Sequence, residues 1–281
     1  RLFDFYQPAV INKRGGFLDL DNRGDPLPTG WPPASVPTRN LFQTTRMVYC
    51  FSIAHLMGRP GADSLIDHGV SFLLNGHRDK KNGGYHWSTG YDKPVNSAKV
   101  AYGHSFTLLA AASAVAVNHA DGKKLLDDIS ETLFRRFWEE EHGAIHEDFH
   151  EDWTSVENYR GQNSNMHLTE ALMAAYEVTK DSQYLDKAER IASLLIEKST
   201  ANNNWRLPEH YHSDWSIDFD YDRDVFRPFG STIGHWLEWA RLLLQLWVLG
   251  DKKNDWMRQA AVAMFSQSEK DGWDQNEGGY Y

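Results

Sequence analysis

Apolar residues recur at helical spacing through most of this chain, and two kinds of helix alternate. Residues 122–141 carry Leu125, Leu126, Ile129, Leu133 and Phe137 on one face and charges on the other. Residues 182–198 repeat that pattern with Leu185, Ala188, Ile191, Ala192 and Leu195. Between them, 104–117 contains no Asp, Glu, Lys or Arg. A helix that is apolar all round is buried on every side, and an amphipathic one covers it. Segments 42–57, 165–178 and 231–249 join 104–117 as expected inner helices, with starts near residues 40, 103, 163 and 231. Segments 61–76 and 254–268 join the covering set.

Turn motifs punctuate this alternation. Gly15-Gly16-Phe17, Gly83-Gly84-Tyr85, Gly143-Ala144-Ile145 and Gly278-Gly279-Tyr280 each follow a helical stretch and open a short extended segment. Trp205-Arg206-Leu207, after the turn-like Asn202-Asn203-Asn204, occupies the place of a further copy. A period of roughly 60 to 70 residues fits one helical hairpin with its loops. Covered and covering helices in register with a repeat predict an all-α, two-layer α/α barrel, a single domain over residues 1–281, with short β segments in its loops.

Composition narrows the function. With 281 residues and 41% hydrophobic residues, a large core is available. The net charge of −10 argues against a nucleic-acid or anionic-membrane partner. Cys50 is the single cysteine, so no disulfide forms within the chain and a cytoplasmic compartment is expected. The longest apolar run, 242–249, is too short to span a bilayer and is interrupted by Gln245. No signal-peptide pattern opens the sequence, although Arg1 is not a natural start.

Candidate chemistry concentrates around Arg227-Pro228-Phe229-Gly230-Ser231-Thr232-Ile233-Gly234-His235-Trp236-Leu237-Glu238-Trp239. Pro228, Gly230 and Ser231 mark a loop entering a helix that Gly250 stops. His235 and Glu238 are three apart and share a face near the first turn, so Glu238 is placed to orient the ring. The positive end of the helix dipole favours the neutral imidazole, the form a general base needs. Trp236 and Trp239 flank the pair, offering aromatic faces to the C–H face of a sugar. The other inner helices also begin with unusual polar groups: Arg46 after Phe42, then Tyr102 and His104, then Asn163 and His167. Each alone is better explained by a structural role; together they point to a shared pocket at one end of the barrel.

Other motifs carry less. His146-Glu147-Asp148-Phe149-His150 matches a zinc-protease pattern that needs a helix, whereas this stretch reads as extended. His210 and His212 lack a third ligand. Arg78-Asp79-Lys80-Lys81-Asn82-Gly83 reads as a solvated turn, and Asp218, Asp220, Asp222 and Asp224 as a solvated loop. There is no Gly-rich phosphate loop and no nucleophile elbow.

Four stretches spread over nearly the whole chain carry a family resemblance: Met57-Gly58-Arg59-Pro60-Gly61-Ala62, Arg78-Asp79-Lys80-Lys81 before Gly83-Gly84, Tyr159-Arg160-Gly161-Gln162-Asn163-Ser164-Asn165-Met166-His167, and Phe229-Gly230 through Trp239. With them the chain resembles the N-acylglucosamine 2-epimerase superfamily, most closely its aldose–ketose isomerases of mannose or sulfoquinovose. The resemblance implies an (α/α)6 barrel. It implies that Arg46, Asn163, His167 and Arg227 bind sugar oxygens, that Phe42, Tyr102 and His104 line the pocket, and that His235 is an acid/base histidine with Glu238 behind it and His167 beside them as catalytic groups. No metal and no cofactor are expected, since the family isomerases open the sugar ring and move a proton between carbons 2 and 1 through a cis-enediol. That chemistry needs a base of near-neutral pKa and donors to the enediolate oxygens.

The resemblance also implies a second acid/base histidine beyond Tyr281. About four and a half of six hairpins are accounted for, and six would need roughly 390 residues. The natural protein is therefore expected to continue past Tyr281. The expected activity is conversion of D-mannose to D-fructose, with a monosaccharide as the partner and a homo-oligomer compatible with the sequence. The rivals are sulfoquinovose isomerisation, 2-epimerisation of an N-acylglucosamine-type or cellobiose-type sugar, an α/α-barrel glycoside hydrolase, and a non-catalytic sugar-binding protein. A hydrolase needs a carboxylate opposite Glu238, and none is obvious at another inner-helix start.

Overall fold

The computed structural model describes residues 1–27, 38–221, 227 and 229–280. A short helix, α1 (Leu2–Tyr6), precedes four helical hairpins: α2 (Leu41–Leu56) with α3 (Ala62–Phe72), α4 (Ala101–Ala116) with α5 (Gly122–Thr132), α6 (Gln162–Thr179) with α7 (Ser182–Ala192), and α8 (Ile233–Leu249) with α9 (Asp255–Gly272). The first helix of each hairpin starts within two residues of its expected position. Each follows a residue in extended backbone, Asn40, Val100, Gly161 or Thr232. The second helices of the first three hairpins widen into a π-type turn at 73–77, 133–137 and 193–200 before the chain reverses.

The chain divides into two compact units. The first comprises Arg1–Phe137 and Asp148–Val156; the second comprises Trp138–Glu147 and Glu157–Tyr281. In the first, α2 packs on α3 and α4, and α4 on α5. Helix α4 is enclosed almost all round: Ala101, Leu108, Ala110, Ala111 and Ala114 have no exposed surface, as expected for a helix without charges. In the second, α6 packs on α7 and α8, and α8 on α9. Helix α8 is less enclosed than its sequence predicts, for Leu244 and Val248 remain exposed, as do Val262 and Phe265 of α9. It ends at Leu249 as expected, but Gly250 keeps a negative φ of −83° and the left-handed residues are Asp251 and Lys252.

The repeat is visible in the turns. Gly83 and Gly84 take φ values of +80° and +68°, which glycine adopts without a Cβ penalty, and bring Tyr85 back against Arg78. The copy without glycine is real: Asn204 and Trp205 adopt φ of +51° and +62° at the corresponding place. The fourth residue of each first helix ties down a turn or the segment after it in its own unit. Thr44 meets His77 Nε2 at 3.1 Å, His104 Nε2 accepts from the Tyr85 amide, Asn165 Oδ1 accepts from the Ile145 amide, and Trp236 Nε1 donates to the Leu207 carbonyl.

The stretch 78–83 is not the solvated turn its charges indicate. Arg78 forms a salt bridge with Asp128 at 2.7 Å, and Asp128 also accepts from the Tyr85 hydroxyl. Asp79 is buried, accepting from the Lys81 and Asn82 amides and from the fully buried Lys99 ammonium at 2.7 Å. The charges pair across sequence separations that a local charge run does not reveal.

A close approach fixes α5 against α4. A Cβ added to Gly122 would lie 2.9 Å from the Val115 backbone nitrogen and 3.0 Å from the Ala114 carbonyl carbon. Backbone cannot rotate aside as a side chain can. Gly122→Ala is therefore expected to cost about 1–3 kcal/mol, measured by urea unfolding. An unchanged unfolding midpoint would show that the turn yields freely.

Candidate active site

The packing of α6 against α8 and the strand His210–His212 that pairs with Tyr159–Gly161 bring most of the candidate groups together in the second unit. His235 is the third residue of α8, with 24% of its side chain exposed. Its Nδ1 lies 2.8 Å from Oε1 of Glu209, a carboxylate only 5% exposed. Glu209 is held in turn. Gln162 Nε2 donates to Oε2 at 2.9 Å, and the Thr232 amide donates to Oε1 at 3.2 Å. The fully buried Trp239 donates Nε1–H to Gln162 Oε1 at 2.9 Å, which sets which way the amide faces. Gln162 Nε2 also lies 2.9 Å from His235 Nδ1, which therefore faces both an amide donor and the Glu209 carboxylate, while the ring's Nε2 has no hydrogen-bond partner among the described residues.

Two expectations change here. Burial by itself pushes the His235 pKa down, but the hydrogen bond and charge of Glu209, reinforced by the charge of Glu238, lift it above the ordinary histidine value. The helix start was expected to keep the imidazole neutral. A full carboxylate charge at hydrogen-bond distance outweighs the roughly half charge of a helix terminus. Trp236 and Trp239 are not a platform for a sugar face: they are 2% and 0% exposed and belong to the core.

Glu238 stands closer to other groups than to His235. Its Oε1 is 4.0 Å from His167 Nδ1 and 3.8 Å from Arg241. Glu170, one turn along α6 from His167, lies 3.9 Å from that ring and accepts from Arg241 at 2.8 Å. Burial alone would raise the Glu170 pKa, but His167 and Arg241 hold it below the ordinary carboxylate value. His167, Glu170 and Glu238 could each turn one ligand atom to a common point, yet Arg241 already supplies the positive charge there. The group Asp79, His86 and Glu151 in the first unit has Lys99 in the same role.

Arg227 is fixed by Glu157 at 3.1 Å and the Tyr221 hydroxyl at 3.3 Å, with its guanidinium 4.6 Å over the Tyr159 ring and Glu147 at 3.9 Å. Pro228, Asp222 and Asp224 lie outside the described residues. Asn163, in the first turn of α6, keeps a side-chain oxygen that no described group satisfies. His146 follows the strand Ala144–Ile145, so the segment is extended as expected.

In the first unit, Arg46 donates to the Tyr102 hydroxyl and lies 4.4 Å over Phe106 and 5.8 Å over Phe42, which packs on Trp87 at 5.3 Å. Arg46, Phe42 and Tyr102 thus form one cluster. His104, expected to line a pocket, does not. It has no exposed surface, its Nδ1 is 2.8 Å from the Val100 carbonyl and its Nε2 accepts from Tyr85, while burial pushes its pKa down to about 3. A cavity of about 470 Å³ lined by Lys81, Asn96, His150, Glu151 and Thr154 in that unit holds none of the candidate groups.

Glu209 and Gln162 escaped the sequence. Gln162 sits inside the motif 159–167 beside Asn163 and His167, and nothing local in the sequence sets it apart from them. Glu209 follows Leu207-Pro208 in the turn copy that lacks glycine.

Fold and site together define a mostly helical protein of the α/α-barrel class with a histidine–carboxylate centre at a helix start. The model of the N-acylglucosamine 2-epimerase (GlcNAc 2-epimerase) family matches residues 15–281. The chain is 40% identical over 290 aligned positions to the D-mannose isomerase of Thermobifida fusca, covering 100% of this chain and 69% of that protein. It is 40% identical over 282 positions to the D-mannose isomerase of Pseudomonas cannabina pv. alisalensis, covering 98% and 66%. A crystal structure of a D-mannose isomerase superposes with a TM-score of 0.90 at 32% identity, covering 99% of this chain and 71% of that one. This chain belongs to the N-acylglucosamine 2-epimerase family. It is an isomerase with the fold class of the (α/α)6 barrels, and it spans about two thirds of the length of these relatives. Among the described residues, no helix is long and apolar enough to cross a membrane.

Proposed function

We propose that the chain acts in aldose–ketose isomerisation, D-mannose to D-fructose, with His235 as an acid/base group. The observation that carries this is the partly exposed His235 ring, its Nδ1 engaged by buried Glu209 and its Nε2 without a hydrogen-bond partner among the described residues. The relatives at 40% identity, both D-mannose isomerases, supply the substrate.

In the open-chain aldose, carbon 2 carries a proton made acidic by the adjacent carbonyl. His235 Nε2 takes that proton; the electron pair forms the carbon 1–carbon 2 double bond, and the carbonyl oxygen becomes the enediolate oxygen. Returning the proton to carbon 1, while the carbon 2 hydroxyl proton passes to the oxygen on carbon 1, gives the ketose. Asn163, His167 and Arg227 are the proposed donors to the sugar oxygens, and Glu238 is proposed to orient His167 while adding negative charge near His235. Donors held in place before charge develops stabilise the enediolate more than mobile water does.

The test is incubation with D-mannose, sulfoquinovose, N-acetylmannosamine and cellobiose in deuterated water, followed by NMR. Fructose from mannose is expected, with deuterium at carbon 1 wherever the carried proton exchanges with solvent. Glucose from mannose would instead mean that the proton returns to carbon 2, as in a 2-epimerase. Conversion of none of the four sugars would refute the proposal.

A further inference from the structure

We infer that Glu209 is the positioning residue of His235: it fixes the ring's tautomer and sets the pH at which Nε2 becomes available as a base. This rests on the isomerase proposal only for its effect on rate; the state of the ring is a property of the protein alone.

Three observations point the same way. Glu209 is nearly inaccessible and does not itself face solvent, so it has little surface from which to meet a substrate. It accepts from the Thr232 amide on one oxygen and from Gln162 on the other, and the remaining direction of Oε1 points at His235 Nδ1. Gln162 is itself fully buried and oriented by Trp239, so the carboxylate cannot swing away without breaking a chain of buried hydrogen bonds. Gln162 Nε2 also stands 2.9 Å from Nδ1, but it already donates to Glu209; a buried carboxylate without the ring's N–H would be the more poorly compensated of the two, and this favours the Nδ1–H tautomer.

The groups that bear on His235 are Glu209 from the segment before the strand at 210, Glu238 from α8 and the neutral Gln162 from α6; the His167 ring and the charges of Glu170 and Arg241 lie around Glu238. The two carboxylates favour the protonated ring. As a base His235 must be neutral, so activity rises with pH through this elevated value. Removing the Glu209 charge lowers the ring's pKa, and the acid limb of the profile moves to lower pH. An opposite charge at this distance typically shifts a pKa by about one to three, so the limb moves by roughly one pH unit or more. Glu209→Asp, which keeps the charge, leaves it near its original place.

The experiment is ¹⁵N NMR of the histidine side chains across pH in the parent, Glu209→Gln and Glu209→Asp, with His235→Asn to assign the signal, alongside kcat/KM for mannose over the same range. The expected result is an Nδ1–H tautomer for His235 in the parent, a titration midpoint that falls in Glu209→Gln and stays in Glu209→Asp, and an acid limb that moves with it. A parent ring found as Nε2–H, or a midpoint unchanged in Glu209→Gln, overturns the inference. A purely structural Glu209 would lower the melting temperature of both variants without moving the midpoint, which also overturns it. If the midpoint falls as expected but no sugar is converted by the parent, the positioning role stands and the proposed reaction falls.

Discussion

His235→Asn is expected to lower kcat for mannose isomerisation by about 100- to 10,000-fold, the usual loss when one general acid/base is removed. That corresponds to about 3–5 kcal/mol of barrier. The fold should survive, because the buried Glu209 keeps its bonds to Gln162 and Thr232, and the asparagine amide can still donate toward it. What the amide cannot do is exchange a proton with carbon 2. His167→Ala is expected to cost less in kcat and more in KM, since that ring sits beside Glu170 and Glu238 as a donor. Steady-state kinetics with circular dichroism of each variant decide the matter. A His235→Asn protein within a few-fold of the parent and normally folded would show that the proton passes through another group.

The second large effect is on stability. Asp79→Ala is expected to destabilise the protein by about 3–5 kcal/mol, the range for breaking a buried ion pair by removing one partner. Lys99, fully buried, would be left with an uncompensated charge, and the turn 79–82 would lose the acceptor of its Lys81 and Asn82 amides. Burial alone would raise the Asp79 pKa, but the Lys99 ammonium and the two backbone amides hold it far below the ordinary carboxylate value. A depressed carboxylate contributes stability above its unfolded pKa of about 3.9 and loses it as pH falls toward its folded value. The parent should therefore lose stability on acidification from about pH 5 downward, and Asp79→Ala should lose less over that range. Urea unfolding at neutral and acidic pH measures both. A loss below about 1 kcal/mol for Asp79→Ala, typical of an exposed pair, would show that the ammonium finds water.

Much of the architecture lay in residue order. The run 104–117 without a charge predicts a helix covered almost all round, and α4 is one up to its exposed end at Ala116. The apolar stripe Leu125, Leu126, Ile129 and Leu133 can cover only one face, and α5 does so. Glycine pairs before aromatic residues marked the turns because few other residues tolerate two successive positive φ values. The copy at Asn204-Trp205 was harder to read, since a tryptophan at φ +62° follows from no local preference.

The site was only half legible. His235 and His167 stand out as polar groups at the starts of apolar helices, and that contrast is visible in sequence. Their partners are not. Glu209 lies 26 residues from His235 and Gln162 lies 73 away, so the pairing depends on how α6, α8 and the strand at 210–212 pack, and no periodicity encodes that. The i, i+3 rule joined Glu238 to His235 because a helix makes them neighbours, but packing turned Glu238 toward His167 instead. His104 looked like a pocket group for the same reason that His235 does. Burial separates them: one ring spends both nitrogens on backbone, while the other sets one nitrogen against a carboxylate and has no partner for the second among the described residues. Sequence alone determined the hairpins, because amphipathic spacing and turn chemistry act over a few residues. Tertiary structure alone decided which charges pair and which ring can move a proton, because Coulomb and hydrogen-bond energies depend on distances that the chain sets only once it has folded.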